Sequence, residues 1–393
     1  MIKKFLSGSG IFALSVLVFS FVRQIVVFPA VSRYSDDLFI GLTFMIFTFE
    51  AIAYGFTGAI PDYYVRRVHG GAVDAELIHK LGRFSLISFV SLAAFLMLGM
   101  GTSVSLLLSV YLYLFALNAL KIKIVFNKMR FAENFVYMAF RSAPYLLVLW
   151  GIQSNVVWAR GVEIECMAGL LLAFECIYWI RLNAITHEDM VIAARAESGN
   201  QRSEVQFFSI LPFVASALLM GFIQRGDLTL MKVLDTDYYV GYAKLILTVN
   251  FFCAPLSLMV SSPLLSFMSR YGLSLGSKEI RHILIWVAAL IAVTGLGSVV
   301  VFRWMHSILY HEVYGGQMWL VFYFTTTALA YSVVRTLVVK YANIRFALHA
   351  SSLVLVASVG MAFLAPVAWV PIVFYAIRFL FLCAILIIPT RHK

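Results

Sequence analysis

Residues 21–41 read FVRQIVVFPAVSRYSDDLFIG, and residues 222–241 read FIQRGDLTLMKVLDTDYYVG. Each stretch closes an apolar run that holds an Arg/Gln pair, passes an acidic pair, and places a glycine in the first turn of the next apolar run. The two differ in length by a single residue. A pattern that returns half a chain later predicts a molecule built twice from the same unit. The longest polar stretch, RLNAITHEDMVIAARAESGNQRSEVQ (181–206), falls between the two copies. It divides the chain into an N-terminal unit over 1–182, a cytoplasmic linker over 183–204 and a C-terminal unit over 205–393.

The apolar runs identify the solvent. Of 393 residues, 62% are hydrophobic and 12% charged, and the apolar residues come in blocks of about 20, the length of helix that crosses a bilayer core. Blocks bounded by charges and turn residues predict twelve transmembrane helices over 8–31, 38–60, 81–98, 103–120, 133–151, 164–182, 205–224, 238–265, 282–302, 317–338, 346–366 and 369–389. The fold class is therefore all-α and polytopic, with six helices per unit. The basic, apolar N-terminus resembles a signal peptide, but the run continues through Arg23 to Pro29 without a small-residue cleavage site, which predicts a retained first helix. Cys166, Cys176, Cys253 and Cys383 all fall in apolar segments without metal-ligand spacing, and are expected to be buried, inert thiols.

Short cytoplasmic loops retain lysine and arginine. With both termini cytoplasmic, 21 of the 30 basic residues lie on the inside, five lie outside (Arg33, Arg160, Arg225, Lys232, Arg303) and four lie within helices. The net charge of +11 is then mostly this inside bias, and no nucleic-acid partner is implied. Six helices per unit bring both units into the membrane from the same side, so the repeat is parallel, about an axis along the membrane normal.

Ionisable side chains at membrane depth are costly and mark an interior or a path. Arg23, Glu50, Arg141, Glu175, Lys244 and Arg378 all lie inside helices, and Arg225 and Asp227 stand at the outer end of the seventh. Two other roles are open to them: snorkelling toward headgroups, which suits Arg225 and Arg335, or pairing between helices, as Arg23 with Glu50. Polar neighbours on the same faces favour a shared wet cavity: Ser20 with Arg23, and Thr43, Glu50, Tyr54 and Thr57 at spacings of 7, 4 and 3. Four basic residues against two acidic ones make that central cavity cationic and suit a phosphate-bearing substrate. Arg23, Arg141, Lys244 and Arg378, with Gln24 and Tyr54, are the expected binding residues. Glu50, Glu175 and Asp227 are candidates for coupling to a proton or sodium ion. Pro144, Pro212, Pro255 and Pro263 supply bending points.

Several chemistries lack their residues. There is no G-x-x-x-x-G-K-[ST] phosphate loop, and HEDMV at His187 and HEVYG at His311 lack the second histidine of a zinc site. The outside loops are too short for a catalytic domain. No cofactor, metal or enzymatic activity is expected.

The opening FLSGSGIFALSVLVFSFVRQIVVFPAVSRYS, with RGDLTLMKVLDTDYYVGYAKLILTVNFFCAPLSLMVSSPLLSFMSR at the start of the second unit, resembles the Wzx-type flippases of bacterial polysaccharide repeat units, in the multidrug/oligosaccharidyl-lipid/polysaccharide exporter superfamily. That resemblance implies passage of an undecaprenyl-diphosphate-linked oligosaccharide, such as an O-antigen unit, from the cytoplasmic to the periplasmic leaflet of a bacterial inner membrane. It also implies the polymerase and chain-length regulator of the same pathway as partners. A small-molecule or drug exporter of the same fold is the first alternative. An O-antigen polymerase-type glycosyltransferase is the second, although such enzymes need a large outside loop.

Overall fold

The computed structural model describes residues 11, 14–67, 85–127, 132–154, 162–197, 207–271, 278–341 and 344–387. These residues are helical, with no strand among them. In chain order the helices are α1 (Leu14–Tyr34), α2 (Asp36–Arg67), α3 (Ser85–Met97), α4 (Thr102–Asn127), α5 (Ala132–Gln153) and α6 (Glu163–Glu197). They continue as α7 (Phe207–Leu234), α8 (Thr236–Tyr271), α9 (Lys278–Tyr310), α10 (Met318–Tyr341), α11 (Ile344–Leu364) and α12 (Val370–Ile387). Each expected segment finds its helix, in order, among the described residues.

Turn chemistry sets the ends. Ser35 is extended (φ −162°, ψ 127°) between α1 and α2, and its hydroxyl accepts the Leu38 N–H at 3.3 Å. Asp235 does the same between α7 and α8, its carboxylate accepting the Asp237 and Tyr238 N–H groups at 3.0 Å. Both turns also share a backbone pattern: the turn residue donates four residues back and accepts from four residues ahead. The repeat read from the sequence thus has matching hinge geometry. At the end of α3, Gly99 takes φ +76° while its N–H and that of Met100 bond back to Leu96 and Phe95, a glycine-capped stop.

The sequence boundaries are too short at the polar ends. The segment 183–197, expected as linker, continues α6. It contains neither glycine nor proline and has four alanines, so nothing stops the helix once it leaves the apolar layer. The remainder of that linker lies outside the described residues.

The first six helices pack chiefly among themselves, α4 with α6, α5 with α6 and α3 with α4. The last six do likewise, α8 and α9 with α10, α11 with α7 and α12. The sets meet along α2 and α7. Near the Ser35 turn, Tyr239 donates to the Thr43 hydroxyl at 3.0 Å, Lys232 lies 3.7 Å from the Phe44 ring centre, and Arg33 donates to the Ile308 and Leu309 carbonyls at 3.0 and 2.6 Å. These contacts tie the two sets together at one end, which the charge count expects outside.

The outer surface is apolar. On α9, Ile285, Trp286, Val293, Leu296, Val300 and Trp304 are all exposed, a stripe that water would not tolerate at this extent. Trp286 and Trp304, 67% and 68% exposed, are five full turns apart on one face, about 27 Å by helix rise. That nearly spans the hydrocarbon core of about 30 Å, with an indole at each boundary. Five helical stretches among the described residues are long and apolar enough to cross a membrane. The chain is a multi-pass membrane protein. Two of the described thiols depart from expectation for the same reason: Cys176 is exposed and Cys166 half-buried, whereas Cys253 is buried and the side chain of Cys383 lies outside the described residues. An apolar helix has no polar face to turn outward, so lipid and core are equally good destinations for a cysteine.

Candidate functional site

Four charged side chains of the first set, Arg23, Glu50, Arg141 and Glu175, lie close together. In α1 the helix widens to π geometry over Phe21–Val27, and Pro29 opens the α-helical turn that follows. Proline has no N–H to give and its ring crowds the carbonyl four residues back, so a widened turn there relieves both. The π segment buries Arg23 and Gln24. Arg23 forms an ion pair with Glu50 of α2, and its guanidinium lies 5.1 Å from the Phe19 ring centre. Tyr145 of α5 stands beside both partners of this pair.

One helical stripe of α5, Tyr137, Arg141 and Tyr145 at spacings of four, continues the cluster. The Arg141 guanidinium carbon sits 4.3 Å from the Phe115 ring centre, 5.0 Å from Phe19 and 5.5 Å from Tyr137. No carboxylate is within ion-pairing distance of it among the described residues. Glu175 of α6 instead accepts from Asn118 Nδ2 at 2.7 Å and from the Tyr137 hydroxyl at 2.8 Å. The result is an aromatic cage, closed by Tyr111 and Tyr178, that holds a guanidinium next to an occupied carboxylate. Cation–π contacts in such dry surroundings are worth about 2 kcal/mol or more each.

The second set carries its own polar sites. Asp227 of α7 accepts from the buried Tyr242 hydroxyl of α8. Lys244 of α8 bonds Glu312, in the loop after α9, at 2.8 Å and sits 5.6 Å from the Tyr310 ring centre. The structure therefore brings Arg23, Glu50, Arg141 and Glu175 together in the first set, buries Gln24 next to Arg23 in the chain, and places Lys244 and Asp227 in the second. Arg378 and Tyr54 lie on α12 and α2, with side chains outside the described residues, as do those of Arg225 and Arg335. Gln24 is fully buried, and neither amide atom has a hydrogen-bond partner. Most hydroxyls bond their own helix, Thr248 to the Lys244 carbonyl and Ser142 to Met138 among them.

Sequence reasoning passed over Tyr111, Asn118, Tyr137, Tyr145 and Glu312. The first four were readable, since Tyr137 and Tyr145 flank Arg141 at one-turn spacing and Tyr111, Phe115 and Asn118 repeat at four and three on α4. Glu312 carried no such signal, being a loop residue.

No protein-family profile matches the chain, and no curated protein matches it in sequence. Two solved structures match it over nearly their full length at 11% identity. One is a MATE protein crystallised in complex with MaL6, with TM-score 0.64, covering 97% of this chain and 94% of that one. The other is the eukaryotic MATE transporter AtDTX14, with TM-score 0.60, covering 99% and 96%. At that identity the likeness establishes the fold, which is that of MATE transporters.

Proposed function

We propose that the chain is an alternating-access transporter of the multidrug/oligosaccharidyl-lipid/polysaccharide exporter superfamily, and that its cargo is an undecaprenyl-diphosphate-linked oligosaccharide moved to the periplasmic leaflet of a bacterial inner membrane. The MATE-like fold supports transport rather than catalysis. One observation carries the choice of an anionic cargo: the described interior carboxylates are already engaged, whereas Arg141 faces rings and hydroxyls. Glu50 holds Arg23, Glu175 holds Asn118 and Tyr137, and Asp227 holds Tyr242. A cationic drug would have to share a carboxylate that already carries a partner. A diphosphate would meet a guanidinium with donors to spare, Arg141 Nε being unpartnered, and the same helix set buries a second unpartnered polar group, the Gln24 amide. Moving a diphosphate through the membrane unaided would cost many kcal/mol, and cations along the path offset that loss. Arg378 is a further basic residue on the expected path, on α12.

The likeness to MATE transporters favours a second reading, export of a small molecule. Proteoliposomes holding fluorescent lipid-linked oligosaccharide separate the two. Arg141→Ala is expected to abolish flipping at normal protein levels and Arg141→Lys to restore part of it, because charge returns without the planar fork. Full flipping by a well-folded Arg141→Ala protein, or efflux of organic cations with no flipping, refutes the proposal.

A further inference from the structure

A cavity of about 390 Å³ opens in the second helix set at the end that carries the Asp235 turn. Its walls come from the first turns of α8, the last turn of α9, the loop before α10, and the start of α12. The volume falls in the range of about 300–1,000 Å³ typical of small-ligand sites. Tyr239 at the start of α8 bonds Thr43 at the start of α2, so this mouth shares an end with the Ser35 turn.

The lining selects its ligand by exclusion. A cation is disfavoured because the Lys244 ammonium is buried in the wall. An anion is disfavoured because Lys244 is already bonded to Glu312, and the exposed Asp237 adds a second carboxylate to the rim. An apolar ligand would strand these polar groups. Aromatic rings are plentiful: Tyr238, Tyr242 and Tyr314 all face the space. The buried His306 in the wall stacks on Phe302 and meets Tyr314 edge to face at 5.6 Å, yet its Nδ1 has no hydrogen-bond partner. Flat aromatic faces, carboxylates that accept paired hydroxyls and an ammonium that donates suit a neutral ring rich in hydroxyls.

We propose that this cavity, lined by Lys244, Glu312, Tyr238 and Tyr314, is a binding site for a neutral saccharide of one or two rings. The inference goes beyond the cargo proposed for the first set, since it concerns different helices and is read by binding alone.

Gly316 supplies the sharpest handle. A Cβ built there would stand 2.4 Å from the Tyr314 ring, whose far face packs on Phe302 at 5.0 Å between ring centres. The ring must therefore swing out of place when Gly316 becomes alanine. The test uses the full chain in nanodiscs free of sugar-headed detergent, with saturation-transfer NMR and titration against maltose, lactose and N,N′-diacetylchitobiose, and with inorganic phosphate and tetramethylammonium as charged controls. At least one disaccharide is expected to bind saturably and neither ion to compete. Gly316→Ala and Tyr314→Ala should each weaken that binding tenfold or more while melting as wild type does. Glu312→Gln should lose the disaccharide and gain phosphate, because it frees Lys244. Binding of none of the three sugars, tighter binding of either ion to wild type, or undiminished sugar binding by Gly316→Ala overturns the proposal. Loss of flipping in Arg141→Ala would leave this result untouched, so the two readings fail separately.

Discussion

The Arg23–Glu50 pair predicts an asymmetry that pH should expose. The Arg23 side chain is 6% exposed and that of Glu50 25%. Glu50→Leu leaves a guanidinium that is dry and cannot shed its proton, so the loss should reach the about 3–5 kcal/mol typical of a broken buried pair, at every pH. Arg23→Met leaves a carboxylate, which can take up a proton instead. A carboxylate is neutralised more easily in acid, so Arg23→Met gains stability relative to wild type as pH falls from 7 to 5, and Glu50→Leu does not. The double variant, with no charge left to bury, should return to within about 1–2 kcal/mol of wild type. Melting curves of the purified protein in nanodiscs between pH 5 and 8 measure all three. Recovery of Glu50→Leu in acid, or a pH-independent loss for Arg23→Met, would refute the reasoning. A stable double variant that no longer transports would show that the charges serve more than the fold.

Two other outcomes follow from close contacts. Gly295→Ala puts a Cβ 2.5 Å from Thr326 Cγ2 and 2.9 Å from Phe322 Cε2, where α9 crosses α10. It should cost about 1–3 kcal/mol in a melt, with Thr326→Ser giving partial relief. Arg33→Ala removes two charged hydrogen bonds between the helix sets, worth about 1.5–3 kcal/mol each. A cysteine at Thr43 should then react at least tenfold faster with a polar thiol reagent, and an unchanged rate would mean that Arg33 does not hold that end shut.

Helix order was legible because a bilayer imposes one length and one backbone solution on every crossing. The hinge at Ser35 and its counterpart at Asp235 were legible too, since a capping side chain followed by acidic residues is a local signal. Boundaries were not, because α2, α6 and α8 run on past the apolar layer and hydropathy stops reporting where lipid stops. The buried charges could be found by their rarity, and Arg23 with Glu50 was among the pairings weighed. Which way a side chain faces within an apolar helix could not be read, as Cys176 shows, because lipid and core reward the same residues. Glu312 was invisible for another reason: a loop's partner depends on where the loop folds back.

The widened turn in α1 explains a mismatch in counting. Ser35 and Asp235, like Gly41 and Gly241, are 200 positions apart, but Phe21 and Phe222 are 201 apart. The first copy therefore holds one residue more than the second, upstream of the hinge. A regular helix given an extra residue turns everything before it by about 100°. A π segment absorbs the addition within itself, and α7 has none. Phe21–Val27 is thus where the extra residue is accommodated. It sets Arg23 and Phe19 in register against α5 and α2, and in the second copy a glutamine, Gln224, occupies the place that corresponds to Arg23. The two helix sets thus hold different chemistry, one an arginine cage and the other a lysine-walled cavity.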